Sequence, residues 1–173
     1  MILATLLPFE GVWPTLGRDV FVAPSATLIG RVVVGDESSI WFGAVLRGDV
    51  GSITIGARTN IQDLTMIHMT GGLSNARIGD DVTVGHTVIL HGCEIGHRCL
   101  VGMGSILLDN VMVGDECVIG AGSLLPQRMV VPPRSLVLGS PARVIRPVND
   151  DELKMGIEGA RHYVDNARKY RMP

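Results

Sequence analysis

Aliphatic residues recur along this chain every six positions. From Ile78 they run Val84, Leu90, Ile95, Val101, Leu107, Val113, Ile119 and Leu125, and each step is six residues except the five from Leu90 to Ile95. An earlier run reads Ile29, Val34, Ile40 and Leu46, then Ile55, Ile61 and Ile67, and a glycine follows many of them, as in Ile55-Gly56, Ile78-Gly79 and Val101-Gly102. Neither the 3.6-residue period of a helix nor simple strand alternation gives this spacing. A coil does, in which each hexapeptide is a short strand plus a corner and three of them close one turn. Each inward aliphatic then stacks on its counterpart one turn away, across a strand spacing of about 4.8 Å. Glycine and Asp or Asn near the corners relieve positive-φ strain.

The pattern breaks in two places. Between Ile67 and Ile78 the text MTGGLSNA is polar and glycine-rich, which predicts a loop over residues 69–76 thrown out of the coil. Further on, Pro126, Pro132, Pro133, Pro141 and Pro147 mark the exit from the coil. Asn149 and Asp150 are N-cap candidates for a helix running to about residue 170. Its Leu153, Ile157, Ala160, Val164 and Ala167 make a narrow apolar stripe that can lie along a flat face of the coil. Arg161, Arg168, Lys169 and Arg171 form a solvated face that favours the helix C-terminus. The expected organisation is all-β: a β-helix domain with an N-terminal cap over 1–148, and a C-terminal α-helix over 149–173 packed on the coil.

Composition agrees with many short strands. Of 173 residues 46% are apolar but only 4% aromatic, with 22 glycines, so Val, Ile and Leu must build the core of a backbone that turns often. A net charge of −2 and no basic run before the C-terminal helix exclude a phosphate-backbone footprint, so no nucleic acid is expected as a partner. The opening MILATLLPFEG lacks a basic leader and reads as a first strand or cap; no stretch is long enough to cross a bilayer, and a soluble protein is expected. Cys93, Cys99 and Cys117 are odd in number without a CxxC pair, which favours reduced, cytoplasmic thiols over a disulfide framework.

Five histidines occur, and two share a phase. His68 follows Ile67 by one residue as His91 follows Leu90. With the loop removed, Ile78, Val84 and Leu90 occupy three successive faces, so Leu90 stacks on Ile67, and His68 and His91 become neighbours in one column, close enough to share a tetrahedral zinc. His86 follows Val84 by two residues and belongs to the preceding face. One chain therefore offers two ligands, and a third must come from another subunit. His97 and His162 lack such a relation and read as structural or exposed.

The runs SSIWFGAVLRGDV, TNIQD, GHTVILHGCEIG and GMGSILLD resemble those of the γ-class carbonic anhydrases and their bacterial relatives, which are left-handed parallel β-helices of hexapeptide repeats. That resemblance supplies the handedness and the site. It implies a homotrimer with zinc on His68, His86 and His91, iron or cobalt being able to take the same place. Gln62 matches the amide that holds the zinc-bound water, and Arg47, Asp49 and Asp63 match charged residues at the subunit boundary near the metal. The implied reaction is reversible hydration of carbon dioxide to bicarbonate by zinc-bound hydroxide. The prototype of that family carries proton-transferring glutamates after the residue matched by Asp49 and in the loop after the first histidine. Val50 and MTGGLSNA stand there instead.

Other readings use the same parts. A zinc hydrolase of acyl thioesters or esters needs the same three histidines. A coenzyme A-dependent acyltransferase would share the hexapeptide coil and the GSPARVIR segment at 139–146 but needs no phased histidine trio. A metal-binding scaffold without catalysis is a third class.

Overall fold

The computed structural model, described here for residues 4–171, is a parallel β-solenoid of about seven turns closed by one C-terminal helix. Three flat faces follow one another in each turn. The first holds Met66–His68, Ile89–His91, Ile106–Leu107 and Leu124–Leu125; the second Ala76–Ile78, Glu94–Ile95, Met112–Val113 and Val130–Val131. The third runs from Phe21–Val22 through Asn60–Ile61 and Thr83–Val84 to Ser135–Gly139, where the antiparallel strand Ala142–Pro147 ends the stack. Two long strands, Thr27–Val34 and Val45–Ile55, run through the corner from the first face into the second.

The six-residue aliphatics are the core. Leu46, Ile61, Ile67, Val84, Leu90, Val101, Leu107 and Leu125 are fully buried, and each such side chain removed from water contributes about 1.5–3 kcal/mol. At one position the expected phase is wrong. Leu28, not Ile29, points inward and pairs with Leu46, and it keeps the six-residue step to Val34 that Ile29 cuts to five. The register shift between Gly30 and Val32 comes after it and absorbs the extra residues of the Val45–Ile55 strand.

A second inward position lies two residues before each aliphatic. Ala26, Ser38, Ala44, Thr59, Thr65, Val82, Val88 and Ser105 fill it, and so do Cys93, Cys99 and Cys117. Here the hydroxyls of Ser38, Thr59, Thr65 and Ser105 donate to carbonyls of the next turn, and the Cys99 and Cys117 thiols do the same toward Gly114 and Pro132. The cysteines are thus small core residues. Burial pushes the Cys93 thiol up to about 12, which removes it as a ready thiolate.

The helix spans Asp150–Arg171 and opens with a reciprocal capping box: Asn149 Oδ1 accepts the Glu152 amide at 2.8 Å, and Glu152 Oε2 accepts the Asn149 amide at 2.9 Å. It lies on the third face. Gly156, Ala160 and Ala167 are the buried helix positions, Gly156 lies over Leu100, and a Cβ at Gly159 would press on Thr83 Oγ1, so small residues let the helix approach the face closely. Tyr163 and Tyr170 pack against Trp41. The first face has no such cover: Met66 is 45% and Ile89 38% exposed.

Candidate metal centre

Insertions collect at one corner. Between the first and second faces three extra residues follow Leu46 before Ile55, and a longer loop follows Ile67 before Ile78, whereas the next turn is shortened by one from Leu90 to Ile95. Gly92 makes the shortening possible: its φ is 65°, and a Cβ there would collide with Ser74 and Asp109. The predicted loop leaves the coil after His68 and returns at Ala76.

His68 and His91 are partners in register, with ring centroids 5.5 Å apart. Each meets a carboxylate. His68 Nε2 lies 3.0 Å from Asp49 Oδ1, and His91 Nδ1 lies 3.2 Å from Asp109 Oδ2. Arg47 pairs with the other oxygen of Asp49. Burial alone would raise the Asp49 pKa, but hydrogen bonds from Arg47, His68 and the Val50 amide outweigh it and hold it at about 2.

The corner between the third and first faces carries the remaining predicted residues. His86 Nδ1 lies 2.8 Å from Asp63 Oδ2, and the Thr87 amide donates to the Asp63 carbonyl. Gln62 is buried beside them, its Nε2 donating to Asn60 Oδ1 at 3.0 Å while Asn60 Nδ2 donates to Thr83 Oγ1. That orientation leaves Gln62 Oε1 as the free end of the amide. The chain thus brings His68, His91, Asp49 and Arg47 together at one edge of the first face, and His86, Asp63 and Gln62 at the other. Among the described residues, no three His, Cys, Asp or Glu side chains of a single chain converge tightly enough to hold a metal ion.

The donor chemistry nevertheless suits one. Three imidazoles, each with one ring nitrogen on an aspartate, repeat the carboxylate–histidine arrangement that orients metal ligands. A carboxylate only accepts, so these contacts suit a hydrogen on the ring nitrogen that faces the aspartate and leave the opposite nitrogen, Nε2 of His86 and His91 and Nδ1 of His68, toward a metal.

Asp109 is the residue that sequence reasoning passed over. It ends the run GMGSILLD, but the turn from Leu90 to Leu107 is one residue short, so Leu108 takes the place in register with His91 and Asp109 lies one position further, outside the phase that aligned the histidines. His97 takes a different part: its Nδ1 accepts the Asp80 amide at 3.0 Å on another corner, a structural contact.

Comparison with known proteins covers both coil and site. The family model described as the GMPPB C-terminal domain matches residues 18–134. A carbonic anhydrase of Geobacillus kaustophilus is 42% identical over 96% of this chain and 91% of its own length. The mitochondrial γ-carbonic anhydrase 2 of Arabidopsis thaliana is 43% identical over 90% of this chain, which spans 58% of that longer protein. Among solved structures, a hexapeptide transferase family protein from Anaplasma phagocytophilum superposes with a TM-score of 0.91 at 39% identity, covering 96% of this chain and 98% of that one. With the GMPPB C-terminal domain match across its coil and carbonic anhydrase relatives along nearly its whole length, the chain belongs to the γ-carbonic anhydrase-like family of hexapeptide-repeat β-solenoids.

Proposed function

We propose that the protein is a homotrimeric, zinc-dependent carbonic anhydrase, in which His68 and His91 of one subunit and His86 of the next hold the metal. The observation that carries this reading is the register pairing of His68 with His91, each held by its own aspartate. The first face supports the assembly. It is apolar and uncovered, it bears His68 and His91 at one edge and His86 at the other, and a cyclic trimer brings opposite edges of neighbouring copies together. Leu64 at its rim supports it as well: among the described non-glycine residues with positive φ it is the only aliphatic one, at 60°, and it is 65% exposed. Neither backbone preference nor burial within one chain accounts for a leucine there, and a subunit contact does.

Zinc, when bound, supplies Lewis acidity that brings the pKa of a water to about 7. The chain's own residues do the rest. Gln62, its Nε2 fixed by Asn60, offers Oε1 to orient the attacking water, and Asp49 and Asp63 hold imidazole rings by ring nitrogens. Arg47 keeps Asp49 ionised. Val50 and the loop 69–75 contain no acid, so proton export falls to buffer. The buried free thiols fit a reducing compartment such as the cytoplasm, and among the described residues no helix is long and apolar enough to cross a membrane.

The transferase name borne by the solved relative keeps an acyl-transfer reading in view. Metal analysis of the purified protein, carbon dioxide hydration with and without added buffer, and acyl thioester hydrolysis in parallel separate the readings. About one zinc per chain with buffer-dependent hydration supports the anhydrase. Thioester cleavage without hydration would replace it with a hydrolase, and absence of bound metal would remove both.

A further inference from the structure

Asp109 sits at the base of the loop with only 5% of its side chain exposed. Both oxygens of its carboxylate accept hydrogen bonds from the loop: Oδ1 from Ser74 Oγ and from the Thr70 amide at 3.3 Å, and Oδ2 from Thr70 Oγ1 at 2.9 Å. The other role of Oδ2 is the contact to His91 Nδ1 at 3.2 Å. Gly92 lies between, and only a residue without a side chain lets Ser74 and Asp109 come so close to the backbone after His91. A carboxylate this buried is expensive unless its lone pairs are filled. The loop fills most of them, and the imidazole fills the rest.

We propose that Asp109 is a positioning residue: it fixes His91 as the Nδ1–H tautomer with Nε2 free for a metal, and the loop sets this orientation by clamping Asp109 through Thr70 and Ser74. The inference deepens the metal-centre reading above and rests on it for its functional meaning. It also gives the loop a task. Its Thr70 and Ser74 turn inward to Asp109, so the segment between His68 and Ala76 tunes a ligand that is distant in sequence and adjacent in the coil.

The test uses the full-length protein, stripped of metal, as wild type and as Asp109→Asn, Asp109→Ala, Ser74→Ala and His91→Ala. Long-range ¹⁵N–¹H correlation of labelled imidazoles, assigned with His91→Ala, reports the tautomer of residue 91 without any metal. Competition with a chelator reports zinc affinity. Wild type should show the Nδ1–H form. Asp109→Ala should lose it and bind zinc roughly 10- to 100-fold more weakly, the usual effect of removing such a partner. Asp109→Asn keeps the volume and one acceptor, so it should fall between, and it carries the comparison if the alanine variant does not fold. Ser74→Ala should weaken zinc in the same direction by a smaller factor. A wild-type His91 in the Nε2–H form, or Asp109 variants with unchanged tautomer and zinc affinity, would overturn the proposal. Failure of the metal reading looks different: zinc affinity would then be absent or insensitive to His91→Ala, while the tautomer measurement still decides whether Asp109 orients the ring.

Discussion

His91 stands directly beside His68 in the stacked strands, their rings 5.5 Å apart, although a loop of irregular length separates them in the chain. His86 lies on the opposite edge of the same face, so a site built from all three must bridge two subunits. His86→Ala and His91→Ala trimers should each lose every complete site. Unfolded together in equal amounts and refolded, they should regain about one site in four, since random assortment gives each subunit a chance of one half to supply the column pair and its neighbour one half to supply the third ligand. Tight zinc binding at about a quarter of wild type checks this. If heterotrimers form and recover none, the ligands come from a single chain.

Gln62 separates binding from catalysis. Its amide reaches Asn60 and no histidine, so Gln62→Ala should retain zinc. A hydrogen bond to a charged group is worth about 1.5–3 kcal/mol, and its loss should slow hydration about 10- to 100-fold. Unchanged hydration at full metal occupancy denies Gln62 its orienting role.

Leu64 should report the subunit contact. A leucine in the left-handed region costs roughly 1–2 kcal/mol, so Leu64→Gly relaxes the backbone while deleting the exposed side chain. The expected outcome is a chain that folds at least as well and a trimer that dissociates at higher protein concentration, read by sedimentation across a dilution series. Equal dissociation for both proteins would place Leu64 outside the contact.

The helix should respond to acid through its cap. Hydrogen bonds from Arg146, then from the Asn149 amide, lower the Glu152 pKa from 4.5 to about 2. A depressed carboxylate stabilises the folded form fully above its unfolded value and loses that contribution as pH falls through the folded one. Amide protection in Asp150–Arg171, corrected for the intrinsic pH dependence of exchange, should therefore be steady down to about pH 4.5 and fall toward about 2. Glu152→Gln, which has no charge to lose, should flatten that dependence. A wild-type profile with the same slope as the variant's would count against the cap.

The six-residue period was enough to read the coil, the excursion after His68 and the pairing of His68 with His91. In a solenoid each inward side chain stacks on the one a turn away, so register follows from spacing once the loop is removed. Asn149 and Asp150 marked the helix start for an equally local reason, a side chain capping amides three residues on. Leu28, six residues before Val34, was legible by the same spacing, and Ile29 broke the period by one. Two other features needed the folded molecule. The helix covers the third face because Gly156 and Gly159 let it sit close over Leu100 and Thr83, a match of two surfaces distant in sequence. The clamp of Thr70, Ser74 and His91 around Asp109 arises only where the loop returns across the shortened corner at Gly92. Periodicity fixes which residues stack, whereas loop path and side-chain direction depend on contacts that no repeat encodes.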